Sequence, residues 1–397
     1  RPIICTNPCA EVPLEDGGAC NLGSINLSRF IDDGFTPEAS INWDQLAEST
    51  ETLVRFLDNV VTWNEDLNAL EKQRKAASET RRLGLGVMGI ADMLNQLGVA
   101  YDSEQGVIII EKVMEYITNA AYQASSFIAK EKNPSPIFNE QTYMECPFVK
   151  EALSEQTHAM IRKNGLRNIA IMSIAPTGSI SNIVLGYKSE SKNYIGVSGG
   201  VEPIFSTFYT RRSESFGNKF FKVFHSTIQA YIDKMGLQKE VDGAKDVDDV
   251  LPDYLTRTAH KIDSIKRVGI QGVIQRYVDH SISSTINLPE DVEPETISDI
   301  YIKAWKHNLK GVTIYRDGSR FPILSTESEM TEYQEMKAKT YSILQEDGES
   351  IEIAGDDIFA LPDGKLTTMY HYMKAMNEDE ADKTIEEATN NTEEVNA

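Results

Sequence analysis

The sequence predicts an α/β protein, and three observations carry that expectation. Apolar residues recur at helical spacing over two long stretches, short β-branched runs bounded by turn signals lie between helical segments, and 397 residues suffice for one large core with an appendage. Leu46, Leu53, Leu57, Val60 and Val61 fall on one face of a helix from about Asp44 to Thr62, and Ile108 to Lys130 reads as a second amphipathic helix. Between them, Gly84-Leu85-Gly86-Val87-Met88-Gly89 matches the dinucleotide-binding pattern Gly-x-Gly-x-x-Gly, with a helical stretch, Ile90 to Leu97, after it. A dinucleotide site needs a hydrophobic strand before the first glycine, and Lys72 to Arg82 is polar. These glycines are therefore expected where a loop enters a helix, packing backbone closely.

Asn168 to Ala175 is apolar and bounded by turn signals, as a buried strand would be, and Lys310 to Tyr315 is similar. After about Pro322 the composition shifts. Tyr341 to Leu344, Ser350 to Ala354 and Asp357 to Leu361 resemble short strands split by Asp347-Gly348 and Gly355-Asp356, and the end from Asn377 is strongly acidic. The expected organisation is a main domain over 1–324, a small β-rich module over 325–376 and an acidic disordered tail over 377–397.

A net charge of -22 argues against a nucleic-acid surface, which needs clustered Lys and Arg. Small molecules or proteins are the expected partners. Four cysteines, Cys5, Cys9, Cys20 and Cys146, have no Cys-x-x-Cys and no short regular spacing, which fits a reducing cytoplasm better than a secreted disulfide framework. No apolar run approaches the ~20 residues of a membrane span. Arg1-Pro2-Ile3-Ile4 lacks the plan of a signal peptide, and the missing initiator Met suggests a processed product or a fragment.

Asn7-Pro8-Cys9-Ala10-Glu11 sets a thiol between an amide and a carboxylate, and Cys20 follows eleven residues after Cys9. Cys9 could be a nucleophile, a redox thiol or a thiyl-radical site, with Glu11 placed as a general base. The plainer alternative is a small buried hydrophobe in an Asn-Pro turn. Pro176-Thr177-Gly178-Ser179-Ile180-Ser181 follows a predicted strand and offers a glycine, three hydroxyls and backbone N–H groups to a phosphate; an ordinary helix N-cap explains it as well. The six histidines, His158, His225, His260, His280, His307 and His371, show no metal-ligand spacing, so each is expected to be a surface or core residue. Cys146 and Cys5 are expected to be structural thiols, Cys5 with a minor redox candidacy.

Thr6 to Leu27 resembles the finger loop of ribonucleotide reductase catalytic subunits, and four more segments follow in that family's order. They are Arg81 to Gly89, Ala175 to Ser181, Asp279 to Asn287, and Lys310 to Arg320, so the resemblance covers about residues 5 to 322. It implies a ten-stranded α/β barrel of two five-stranded halves. This chain would supply the finger loop and the second half, and an N-terminal half would come from a partner chain in a split enzyme. It implies that Cys9 carries the thiyl radical, that Glu11 takes the 3′-hydroxyl proton, that Asn7 bonds the ribose hydroxyls, and that residues 176 to 181 hold the substrate phosphates. Cys20 would be half of a reducing dithiol whose other thiol lies upstream of the finger loop. The implied activity is that of a ribonucleoside-diphosphate reductase, re-reduced by a dithiol protein such as thioredoxin or glutaredoxin. Ile183 to Val197 departs from the family by its length. Asn-Pro-Cys, the Arg-Asp-Gly-Ser-Arg ending at Arg320, and Tyr315 without an adjacent tyrosine are similar to the adenosylcobalamin-dependent class, although its C-terminal Cys-x-x-Cys is absent. The alternatives are the class with a separate radical-generating subunit, in which Tyr315 is a relay station, and a non-catalytic nucleotide-binding or regulatory remnant.

Overall fold

The structure, a computed structural model, describes residues 2–213, 219–319, 339–344, 350–361 and 364–376. It divides into two compact units, Arg1–Ile286 with Lys303–Thr313, and Asn287–Ile302 with Ile314–Ala397.

The first unit opens with a short antiparallel hairpin, β1 (Cys5–Thr6) against β2 (Pro13–Leu14), with Cys5 opposite Leu14. β3 (Asn21–Asn26) follows, then a minimal pair, β4 (Ile31–Asp32) and β5 (Ser40–Ile41). Next come helices α1 (Trp43–Asn64) and α2 (Glu71–Thr80), strand β6 (Leu83–Met88), and helices α3 (Ile90–Gln96) and α4 (Glu104–Lys132). The two amphipathic helices stand where periodicity puts them. Each has a polar N-cap: Asn42 accepts from the Gln45 N–H, and Ser103 accepts from the Gly106 N–H. Their buried faces, Leu46, Val54 and Leu57 on α1 and Ile110, Val113, Met114 and Ile117 on α4, enter one core with Leu83, Leu85 and Val87.

A parallel wall organises this unit. β3 runs parallel to β6, with Asn21 opposite Leu83 and Asn26 opposite Met88. On the far side of β6, the Leu85 N–H donates to Ile171 O (2.8 Å) and the Ser173 N–H returns to Leu85 O (2.9 Å). The segment 170–174 then meets 280–283 in parallel at Ile174 and Ile282, and the Thr313 N–H extends the wall by donating to Ser284 O (3.1 Å). The buried run expected at Asn168 to Ala175 lies centrally in the wall, where it pairs through isolated bridges at Met172 and Ile174 and not as a continuous strand.

One expectation is corrected. The Gly-x-Gly-x-x-Gly segment is not a loop entering a helix; residues 83–88 are a fully buried central strand. Leu83, Leu85 and Val87 face the helices, and the intervening glycines leave room on the other face. A Cβ on Gly86 would lie 2.4 Å from Ser173 O, and one on Gly84 would lie 2.9 Å from Cys20 Sγ. The polar stretch before it forms α2, so no strand precedes the first glycine. Only Gly89, at φ 75° as the N-cap of α3, serves as a turn glycine.

The unexpectedly long stretch after Ser181 is a hairpin, Leu185–Lys188 against Asn193–Ile195, with a register shift between Leu185 and Lys188. Three short helices, Glu140–Met144, Pro147–Ala152 and Glu155–Asn164, precede the wall segment 170–174, and Ser264–Gln275 leads into 280–284.

In the second unit, Thr340–Leu344 pairs antiparallel with Ser350–Ala354, and Ile358–Ala360 with Leu366–Thr368, so three predicted strands are present and a fourth joins them. The expected boundary near Pro322, Arg320, Asp347-Gly348 and the acidic stretch from Asn377 lie outside the described residues.

Candidate active site

The hairpin Cys5–Leu14 carries three of the four candidate catalytic residues. Its turn is closed from within: the Ala10 N–H donates to Asn7 O (3.0 Å), the Val12 N–H donates to Asn7 Oδ1 (3.0 Å), and Ala10 takes φ 62°. Asn7 thereby commits its side-chain oxygen to shaping the loop and keeps its Nδ2 donors. Cys9 is exposed on this turn, and two residues later Glu11 is 1 % exposed. That change of environment over two residues is produced by the wall. The Glu11 carbonyl accepts two hydrogen bonds, from Ser173 Oγ (2.9 Å) and from the Ser281 N–H (2.9 Å), one from each of two neighbouring wall segments. Glu11 Oε2 is buried and has no hydrogen-bond partner among the described residues. An unmatched carboxylate oxygen costs free energy in a folded scaffold.

Cys20 precedes β3 and sits against Gly84, half-buried. Burial, and then the negative charge of Asp279, push its thiol up to about 12, with Arg82 opposing and Glu11 and Glu15 adding to the rise. The structure thus brings Cys20, Glu11, Glu15, Arg82 and Asp279 into one electrostatic neighbourhood at the start of the parallel strands. Arg82 Nε is bonded to Glu15 Oε2 (2.8 Å). Asp279 receives the backbone N–H groups of Ile171 (2.8 Å) and Met172 (2.7 Å) and the hydroxyl of Tyr122 (2.5 Å). The neighbouring His280 is buried and lowered to about 4, chiefly by burial, so it is neutral at pH 7. Cys5 and Cys146 are free and exposed.

The candidate phosphate segment leaves the wall directly. Ala175 ends the buried run, Thr177 turns at φ 54° and its Oγ1 accepts from the Gly200 N–H (2.8 Å), and Gly178, Ser179 and Ile180 are exposed. Among the described residues the N–H groups of Gly178 and Ser179 make no hydrogen bond. The helix that would make this an ordinary N-cap is only a single 3-10 turn, Ile180–Asn182, and Ser179 makes no capping bond to it. Tyr315 lies on Thr313–Arg316 in the second unit.

Sequence reasoning missed Ser173, Arg82 and the role of Ser281. Ser173 had a readable signal, a hydroxyl placed singly inside an otherwise apolar strand, Ile169 to Ala175. The Asp279 cap had none, because its partners lie over a hundred residues away in sequence.

Comparison with known proteins follows the same outline. The family model described as "Ribonucleotide reductase, barrel domain" matches residues 1–315. A vitamin B12-dependent ribonucleoside-diphosphate reductase of Mycobacterium tuberculosis is 34% identical over 325 residues, covering 80% of this chain and 42% of that protein. The protein of the same name from Thermoplasma acidophilum is 33% identical over 329 residues, covering 80% of this chain and 38% of the relative. The chain therefore spans less than half the length of these relatives. Among solved structures, the Actinobacillus ureae class Id ribonucleotide reductase alpha subunit superposes with a TM-score of 0.57 at 22% identity, over 79% of this chain and 53% of that one, a likeness of fold.

Proposed function

Because the chain belongs to the ribonucleotide reductase barrel-domain family, we propose that it is the radical-bearing part of a ribonucleotide reductase catalytic subunit. It works with the N-terminal half of that subunit to convert ribonucleotides to 2′-deoxyribonucleotides. The observation that carries this reading is the hairpin itself: Cys9 exposed on a turn, two residues from a buried Glu11 whose carbonyl is held by two wall segments, with Cys20 at the foot of the same wall. The need for the other half is supported by β3, which among the described residues pairs only with β6, and by its own Leu22, an apolar side chain left 47% exposed. The names of the relatives support a nucleoside diphosphate as substrate.

The chain's residues divide the work. Cys9 as a thiyl radical takes the ribose 3′ hydrogen, while the Glu11 carboxylate accepts the 3′-hydroxyl proton and the Asn7 amide donates to the ribose hydroxyls. The 2′-hydroxyl then leaves as water with a proton from the thiol of the N-terminal half, and after the reduction Cys9 returns the hydrogen to the 3′ carbon. Cys20 retains its proton at neutral pH, so it enters as a thiol able to give hydrogen to the substrate radical. With the thiol of the N-terminal half it ends as a disulfide, which a dithiol protein reduces. The turn at 176–181 holds the phosphates through backbone N–H groups and hydroxyls, without needing positive charge.

The radical source favoured is adenosylcobalamin, in line with the names of the B12-dependent relatives. The residues are compatible with such a group: Pro8 and Cys9 are exposed on the turn, and Tyr315 has no adjacent tyrosine to act as a second relay station. When bound, such a cofactor would supply the radical by homolysis of its carbon–cobalt bond. The test is reconstitution. The isolated chain should not reduce a ribonucleotide, and mixing with the N-terminal half and adenosylcobalamin should restore turnover. Turnover by the chain alone sinks the two-half reading. Activity only with an added radical-generating subunit assigns the chain to the two-subunit class.

A further inference from the structure

We propose that Ser173 is a positioning residue that fixes the finger loop relative to the phosphate-binding turn, by holding the Glu11 carbonyl with its side-chain hydroxyl. This deepens the proposed function and rests on its assignment of Cys9, Glu11 and the turn at 176–181. Ser173 is fully buried, and its Oγ donates to Glu11 O at 2.9 Å. The second donor to the same oxygen is the Ser281 backbone N–H, from the next wall segment. The wall already occupies Ser173's own N–H, which donates to Leu85 O. Its hydroxyl is therefore available to the loop and is the one side chain among the described residues that ties the Glu11 backbone to the wall.

Position along the strand gives this contact its consequence. Ser173 and Thr177 are four residues apart, about 13 Å of extended chain. Thr177 opens the phosphate-binding turn and is itself pinned by the Gly200 N–H. One rigid segment thus touches the loop bearing the radical thiol at one point and the phosphate turn at the other. A nucleotide held by its phosphates meets Cys9 and Glu11 at a separation that this segment sets. The loop's own turn, closed between Asn7, Ala10 and Val12, carries the constraint from Glu11 back to Cys9. The close approach is protected by Gly86, where any Cβ would strike the Ser173 carbonyl at 2.4 Å.

Losing the hydroxyl should displace the loop without disturbing phosphate binding, so the rate should suffer and the apparent affinity should not. In the assembled enzyme, Ser173→Ala is expected to lower kcat by roughly 10- to 100-fold with KM within about twofold of wild type. In the same variant, amide exchange at Val12 and Ser281 should accelerate at least ~10-fold, while that at Leu85, bonded inside the wall, stays unchanged. Ser173→Cys, nearly isosteric with a much weaker donor, should show the same split to a smaller degree and serves if the alanine variant does not fold. Unchanged kcat and exchange in both variants overturn the proposal, as does acceleration spread evenly through Leu85, which would make Ser173 a scaffold residue. A Cys9→Ser control separates the two levels: if it abolishes turnover while the Ser173 variants behave as wild type, the site assignment stands and the positioning role falls.

Discussion

The hairpin at 5–14 and the parallel wall behind it solve opposite problems. The hairpin is two two-residue strands around a turn, with Cys9 exposed and Ala10 in the left-handed region, and it has little apolar material of its own beyond Val12. The wall's central segments, 83–88 and 170–174, are buried, their hydrogen bonds run strand to strand, and Leu83, Leu85, Val87, Ile171, Met172 and Ile174 are at or near zero exposure. The loop is reachable because it is not part of the core, and it is precise because the core grips it at Glu11. Exposure and burial thus fall to different segments, joined by two hydrogen bonds at Glu11.

The largest expected effect breaks that division at the tip. In the assembled enzyme Cys9→Ser should remove all turnover and all substrate-radical chemistry, because an oxygen-centred radical is not reachable from the same source. Cys20→Ser at the foot of the wall should leave hydrogen abstraction at the 3′ carbon measurable, by release of label from 3′-tritiated substrate, and should stop only the reduction. Similar residual turnover in both variants would mean that tip and wall do not carry separate roles.

The next effect is on the wall alone. Gly86→Ala places a Cβ 2.4 Å from Ser173 O and 3.1 Å from Ile174 Cα, both backbone atoms that cannot swing aside, so the strands must part. Denaturant unfolding should report a loss of about 2–3 kcal/mol. Gly178→Ala, on the exposed turn with nothing within 4 Å of the new Cβ, should stay within about 0.5 kcal/mol of wild type. Equal losses at the two glycines would show that the wall is no tighter than the loop leaving it.

These glycines also mark how far the sequence was legible. Long amphipathic helices, the run at Asn168 to Ala175 and the small hairpins near the C-terminal end follow from period and turn residues, and all three are present. The central strand at 83–88 was hidden by its own composition. Leu-Gly-Leu-Gly-Val-Met alternates large side chains with none, which is strand periodicity, yet two glycines in six residues read as a loop. The finger-loop residues could be named from their motif. What holds them could not, since Ser173 reaches across 162 positions and Asp279 caps segments more than a hundred residues distant. Local patterns record which face a residue shows, and pairings at that range are decided only when the wall closes.

Acid–base behaviour sharpens the contrast at the foot of the wall. With its thiol pushed up to about 12 by burial and Asp279, Cys20 leaves only about one molecule in a thousand as thiolate at pH 9. In a variant with Cys5, Cys9 and Cys146 changed to serine, iodoacetamide labelling of Cys20 should be very slow at pH 9 and rise steeply above pH 10. The linkage has a definite sign. The folded value lies above the unfolded 9.0, so this contribution to stability is complete below pH 9 and is lost as pH rises from there toward 12. Rapid labelling at pH 8 would mean that the foot of the wall is as open as the tip.

The smallest expected effect lies away from the hairpin and from the wall's centre. Tyr315 stands on the short strand Thr313–Arg316 between Ile314 and Arg316, without a tyrosine neighbour in sequence. A stepwise radical relay needs stations close enough to pass an electron and a proton in turn, and a single tyrosine offers one. If the radical arises beside Cys9 instead, the phenolic hydroxyl has no part in the chemistry, and Tyr315→Phe keeps the ring while removing only that group. In the assembled enzyme with adenosylcobalamin, kcat of this variant should remain within about twofold of wild type, since a surface or half-buried change of this kind shifts energies by only a few tenths of a kcal/mol. A loss of turnover comparable to that of Cys9→Ser, seen with a radical-generating subunit and not with adenosylcobalamin, would place Tyr315 on the route to the thiol. It would also show that the tip receives its radical through the protein and not from a group meeting it directly.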